Sequence, residues 1–319
     1  MTVTPRICSL TMTRTMKNIN GNFSGNFSEK QSEYERLQAF IEEKLYGYFS
    51  EKVNYGRLLE AMRYSLLGGG KRLRAVLCLK FCEVSGGDIS KAAEAACALE
   101  KLHAYTLIHD DLPCMDNDDF RRGKPSNHIK YDVFTATLAG DALQAAAFET
   151  LLNSDLPAGA IARMGKVLAR AAGPHGICAG QYLDISGSGK NHSEAQLIEI
   201  HELKTSALFC ASAKLGVLAA GGSAAQIAAA EEYSKALGLA FQIMDDLLDV
   251  TSTPEKLGKP IGSDNKQGKT TFASLYGPEK CLQIIKDETN KAVRAVSGGV
   301  FEDPGFLVWF AGMLENRAG

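Results

Sequence analysis

Apolar residues recur at three- and four-residue intervals along nearly the whole chain, beginning with SEKQSEYERLQAFIEEKLYGYF at 28–49. That spacing is the mark of amphipathic helix, and Ser28 or Ser32 is placed to cap the first one. The Ala-rich stretches at 90–109, 135–152, 158–171, 194–220 and 224–250 carry the same periodicity. Alanine is the best helix former, only nine prolines interrupt 319 residues, and alternating β-branched runs are scarce. The pattern predicts an all-α fold. It breaks at Gly68-Gly69-Gly70 and at 112–126, 171–176, 186–193 and 251–269. No break is long enough to separate domains, and no repeat of about 20 to 50 residues stands out. One helical domain over 29–319 is expected.

Residues 1–28 stand apart. They hold no acidic residue, three basic ones and a tandem GNFS. An organelle transit peptide has that composition, but the stretch is short and weakly amphipathic, so a disordered extension is expected. The overall composition, 45% apolar and 23% charged, is that of an ordinary globular protein. A formal net charge of −2 leaves no global basic field for nucleic acid, so any phosphate chemistry must come from local clusters. No apolar run approaches the roughly 18 to 20 residues of a membrane span. The eight cysteines form no CxxC pair and sit mostly in apolar surroundings, which predicts reduced thiols and a cytoplasmic protein.

Two acidic clusters carry the chemistry. In LIHDDLPCMDNDDFRRGK, five aspartates fall within ten residues, among them Asp110, Asp111 and Asp116 as DDxxxxD. In FQIMDDLLDVT, Asp245, Asp246 and Asp249 form DDxxD. On a helix, Asp245 and Asp249 share a face, with Gln242 close to it. One such cluster alone reads equally as a solvated acidic turn, and His109-Asp110 alone as half of an HD-type metal site that would need further His and Asp ligands. Two clusters flanked by apolar helix require cations, because unpaired buried carboxylates are costly. Hard oxygen donors without His/Cys spacing favour Mg²⁺. Mg²⁺ takes only one or two carboxylates and fills its shell with phosphate oxygens and water, which points to a diphosphate substrate.

Basic groups flank the acids. LGGGKRLR at 67–74 sets three glycines before Lys71, Arg72 and Arg74, a loop whose amides can approach an anion. Arg121 and Arg122 can clamp phosphate oxygens, and Lys204-Thr205, Lys259 and Lys269 add donors.

The motifs GGGKRLR, HDDLPCMDNDDFRRGKP, GQYLD, KTSALF, FQIMDDLLD and GKPIGSD occur here in the order found in trans-isoprenyl diphosphate synthases. Over residues 30–319 the chain most resembles the bacterial-type farnesyl diphosphate synthases. The resemblance implies an all-α prenyltransferase, usually a homodimer, with Mg²⁺ between two Asp-rich motifs across a deep cavity. It implies metal ligation by Asp110, Asp111 and Asp116 on one side and Asp245 on the other, with Asp246 and Asp249 assisting. It assigns the allylic diphosphate to Arg121, Lys204, Thr205, Gln242, Lys259 and Lys269, and isopentenyl diphosphate to Gly70, Lys71, Arg74, His103 and Arg122. Gln181 and Asp184 would line the middle of the cavity. The implied reaction ionises the allylic C–O bond. The isopentenyl double bond then attacks the carbocation head to tail, and a proton is lost. The residues bearing directly on that chemistry would be Asp110, Asp111, Asp116, Arg121, Lys204 and Asp245.

Product length should follow cavity depth below Asp110. By resemblance the floor is Tyr105, about 7.5 Å upstream along the helix; by helical angle alone it is Thr106. An aromatic at 105 together with DDxxxxD resembles farnesyl producers, with geranylgeranyl or geranyl diphosphate as the alternative product. A catalytically silent regulatory subunit is the expectation of a different class, and intact acidic clusters count against it. A cyclising synthase would not need Lys71, Arg74 and His103. The family commonly has proline where this chain has Ala75.

Overall fold

A computed structural model describes residues 27–187, 189–251 and 269–316. The expectation for the 28-residue extension, apart from its last two residues, lies outside them, as does Lys259. The described chain is one all-helical domain. Its helices are α1 Phe27–Tyr46, α2 Gly56–Leu66, α3 Leu73–Val84, α4 Ala93–Asp110 and the single turn α5 Asn127–Lys130. There follow α6 Val133–Leu152, α7 Ala158–Ala172, α8 Ile177–Ser186, α9 Glu194–His201, α10 Ala207–Ala219, α11 Ala224–Thr251, α12 Phe272–Ser297 and α13 Gly305–Glu315. The predicted loop at 112–126 contains the only strand pairing among the described residues, Phe120–Arg121 against Lys124–Pro125.

The helices fall nearly where the apolar period places them, with two differences. α1 begins at Phe27, so Ser28 and Ser32 are inside it, and the Ser32 hydroxyl bonds the Ser28 carbonyl at 2.9 Å instead of capping. The predicted 194–220 helix is interrupted at Glu202–Ser206 by a π-type turn, the widening often found at functional sites. Lys204 and Thr205 sit on that turn.

Burial sorts the helices. α10 is buried on nearly every side, as expected of a helix apolar all round, and packs on α3, α7 and α11. It approaches α3 so closely that a Cβ on Gly216 would lie 2.1 Å from the Cys78 carbonyl oxygen. α4 packs on α3 and α6, and α11 lies along α12. α1 buries Leu37, Ile41 and Leu45, at the four-residue spacing of one face, against α3 and α4. Among the described cysteines all are free, and burial pushes the Cys97 and Cys210 thiols up to about 12. No helix among the described residues is long and apolar enough to cross a membrane. The architecture brings the end of α4, which carries the first acidic cluster, opposite the last third of α11, which carries the second.

Candidate active site

Between them opens a cavity of about 800 Å³. Asp110 and Asp116 line it on the α4 side, Asp245 and Asp246 on the α11 side, and Asp184 of α8 in between. Burial pushes the Asp110 carboxyl up to about 6; Lys204 acts against the shift and Asp116 adds to it. Asp184 gathers two lysines at the cavity wall. Its Oδ2 accepts from Lys204 Nζ at 2.8 Å and from Lys269 Nζ at 3.0 Å. Burial alone would raise its pKa, but the two ammonium groups outweigh it and hold the carboxyl at about 2. Lys269 also reaches Asp116 at 4.0 Å. Thr205 donates to Gln242 Oε1 at 2.8 Å, and Gln242 donates on to Asp246 at 3.3 Å, so the π turn and α11 are tied together at the cavity wall.

The glycine loop forms the opposite end, where Gly70, Lys71, Arg74, His103 and Arg122 all line the cavity. Gly70 has φ +123°, and a Cβ there would meet the Arg122 guanidinium at 2.7 Å, so the residue must be glycine for Arg122 to lie where it does. Arg122 donates to the Gly69 carbonyl. Arg74 lies over the Phe209 ring at 4.8 Å with Nη1 3.4 Å from His103 Nε2, and burial lowers its pKa to about 10. Burial first, and Arg74 next, hold His103 well below the ordinary histidine range, so its imidazole is neutral at pH 7. This end presents several donors, and the carboxylate among its lining residues, Glu100, is paired with Arg72.

Several expected residues are placed elsewhere. Asp111 does not line the cavity: it is buried, and Arg121 Nε binds its two carboxylate oxygens at 3.0 and 3.3 Å. The crowded first cluster is thus neutralised in part by its own arginine, which also reaches Asp118 at 3.5 Å. Asp249 is buried and off the cavity. Asp245 and Asp249, expected on one helix face, are divided by the cavity, which only Asp245 lines, while Asp246 accepts from Gln242 at 3.3 Å and from the Phe272 amide of α12 at 3.2 Å. Tyr105 also lies off the cavity, while Thr106 lines it. Consecutive helical residues differ by about 100°, so the two side chains diverge, and the Tyr105 hydroxyl meets Cys178 of α8 at 3.6 Å. His109 turns to the Thr137 carbonyl at 3.0 Å and lies 3.7 Å from Asp141, away from the cavity, and among the described residues no group of three His, Cys, Asp or Glu forms there as the HD-type alternative would need. Gln181 lines the cavity with both amide atoms buried and without a hydrogen-bond partner.

Three features were not anticipated. His201 lines the cavity 3.6 Å from Asp246; its position one turn before Lys204 was the available signal. Arg72, grouped by sequence with its neighbours as an anion donor, is buried and paired with Glu100 at 3.1 Å. The amide of Ala75 donates to the same Glu100 at 3.4 Å, a bond that proline at this position would lack.

The donor set is compatible with Mg²⁺. The cavity carboxylates are all hard oxygen donors, and Asp110 is short of compensating charge. Among the described residues no three His, Cys, Asp or Glu side chains converge into a complete metal site. A divalent ion here would need oxygen ligands from water or a bound phosphate, which is how Mg²⁺ is ordinarily held.

Residues 56–297 match the model of the polyprenyl synthetase family. The chain belongs to that family. Among its relatives are a chloroplastic geranylgeranyl pyrophosphate synthase of Capsicum annuum, 45% identical over 75% of this chain and 66% of that protein. Another is a heterodimeric geranylgeranyl pyrophosphate synthase large subunit 1 of Arabidopsis thaliana, 48% identical over 74% of this chain and 66% of that one. The chain thus spans about two thirds of the length of these relatives. The crystal structure of a geranyltransferase from Legionella pneumophila superposes with a TM-score of 0.82 at 33% identity, over 92% of this chain and 99% of that one. That of an apo FPP/GFPP synthase from Zymomonas mobilis gives 0.81 at 33% identity, over 91% and 100%. In this polyprenyl synthetase fold the two aspartate clusters and the glycine loop belong to one cavity.

Proposed function

We propose that the protein is a Mg²⁺-dependent prenyl diphosphate synthase that couples isopentenyl diphosphate to dimethylallyl and geranyl diphosphate, giving (E,E)-farnesyl diphosphate and pyrophosphate. The observation that carries this reading is the polarity of the cavity. Carboxylates and lysines gather at the Asp110–Asp245 end, while the Gly70–Arg74–His103 end holds cationic and neutral donors. Such a cavity suits two diphosphates held differently, one through metal and lysine, the other through arginine and backbone.

Mg²⁺ bound by Asp110, Asp116 and Asp245 would supply electrophilic stabilisation of the departing pyrophosphate. Lys204 and Lys269, half-buried beside Asp184, hold positive charge where that anion develops. Lys71, Arg74 and Arg122 fix the second diphosphate, and neutral His103 offers it a donor without a titrating charge. Thr106, Ile177, Leu208 and Phe241 give the prenyl chain an apolar path that keeps water from the carbocation.

The farnesyl product rests on Tyr105. Its side chain is buried off the cavity wall with its hydroxyl 3.6 Å from Cys178 of α8, and in this reading it closes the end of the prenyl path next to Thr106. The names of the curated relatives favour geranylgeranyl diphosphate instead. We also read the chain as a homodimer, with the exposed row Ile129, Val133, Phe134 and Leu138 as the covered face; a sedimentation mass of one chain would refute this.

The test is incubation of the purified protein with radiolabelled isopentenyl diphosphate, Mg²⁺ and either starter, followed by chain-length analysis. A dominant C15 product that disappears with chelator is expected. Mainly C20 or C10 product keeps the coupling and overturns the length. No metal-dependent coupling overturns the reading in favour of a silent subunit.

A further inference from the structure

The family match begins at residue 56, so α1 lies outside it, yet α1 reaches the glycine loop with three side chains. Tyr34, Gln38 and Glu42 are spaced four apart and form one ridge. The Tyr34 hydroxyl donates to the Lys71 carbonyl. Gln38 Nε2 donates to the Gly70 carbonyl at 3.0 Å, and Glu42 reaches Arg72 Nε at 3.5 Å. None of the three lines the cavity, so all act from behind the loop.

The two pinned carbonyls have a specific geometric effect. The peptide unit is planar. The Gly70 carbonyl belongs to the plane entering the Lys71 Cα, and the Lys71 carbonyl to the plane leaving it. Holding both planes fixes φ and ψ of Lys71 and therefore the direction of its Cα–Cβ bond. The loop needs such restraint: Gly70 has φ +123° and Arg72, a non-glycine residue, has φ +51°. Tyr34 is in turn held by its ring, which is buried and packs 6.1 Å from Trp309 and 6.3 Å from Phe310 of α13, a helix that also lies outside the family match.

We infer that Tyr34 and Gln38 are positioning residues for isopentenyl diphosphate, acting through Lys71 from behind the glycine loop. The inference rests on the assignment of that pocket in the proposed function. Tyr34→Phe keeps the ring against Trp309 and removes only the hydroxyl; Gln38→Met keeps length and removes the donor. In the full-length protein each is expected to raise KM for isopentenyl diphosphate about 3- to 10-fold, the size of a lost hydrogen bond. The allylic KM and kcat should stay within about twofold, a split that general loosening would not give. In a Lys71→Ala background, Tyr34→Phe should change that KM by less than about twofold, because the two act as one unit. An unchanged isopentenyl KM in the Tyr34→Phe/Gln38→Met double variant overturns the inference. So does an equal rise for both substrates, or an undiminished Tyr34→Phe effect in the Lys71→Ala background. If Lys71→Ala alone leaves the isopentenyl KM unmoved, the pocket assignment itself fails, and the inference with it.

Discussion

Lys101 sits on α4, the helix that delivers His103 and Asp110 to the cavity, and it is 1% exposed. Its ammonium lies 3.1 Å from the centre of the Tyr48 ring and 5.3 Å from that of Phe49. It donates to Thr150 Oγ1, whose own proton is committed to the Ala146 carbonyl at 2.7 Å. Burial lowers its pKa from 10.5 to about 8; Cys97 and Glu94 nearby offset only part of this. Between pH 8 and 10.5 the unfolded chain therefore binds the proton that the folded chain has released, so stability rises with pH through that window. At 1.36 kcal/mol per pKa unit the full effect is about 3 kcal/mol, of which about 1 kcal/mol falls between pH 7 and pH 9. Lys101→Met removes the titration while keeping an unbranched side chain in the slot. Urea denaturation of native and variant protein at both pH values measures the difference directly. The variant is expected to be the more stable at pH 7 by about 1 to 2 kcal/mol, after subtracting the lost hydrogen bond and cation–π contact. That advantage should shrink by about 1 kcal/mol at pH 9. A difference that stays constant within about 0.3 kcal/mol would mean that the aromatic faces hold the charged lysine at its ordinary pKa, refuting the desolvation reasoning.

Two further outcomes follow from the cavity. Tyr105→Ala removes the ring that meets Cys178 and His109 behind Thr106, and products longer than C15 are expected by chromatography of the extracted prenyl chains; an unchanged product would sink the floor assignment. Gly70→Ala forces a Cβ against the Arg122 guanidinium at a φ that side chains rarely adopt. It is expected to cost about 1 to 3 kcal/mol and to raise KM for isopentenyl diphosphate more than that for the allylic substrate; equal changes in both would show that the loop does not discriminate between them.

The sequence by itself determined the helical architecture, because the apolar period and the scarcity of proline are local properties, and it marked both aspartate clusters. It also showed that Thr106 rather than Tyr105 lies beneath Asp110 in angle, since that follows from 100° per residue alone. It did not determine which acids face the cavity. Asp111 and Asp249 stand in the same motifs as Asp110 and Asp246, yet one is taken by Arg121 and both lie off the cavity wall. The basic run alone does not separate Arg72 from Arg74, although the resemblance names only Arg74 for a diphosphate. Glu100, far along the chain, draws the first into a buried pair, while the second lies over Phe209 beside His103. The ridge of Tyr34, Gln38 and Glu42 reads in the sequence as an ordinary polar face of an amphipathic helix. Only the docking of α1 against the glycine loop gives those side chains partners. Periodicity fixes the angles within a helix, whereas the rotation of each helix against its neighbours is set by packing between residues distant in the chain, and that rotation decides which polar groups share a site.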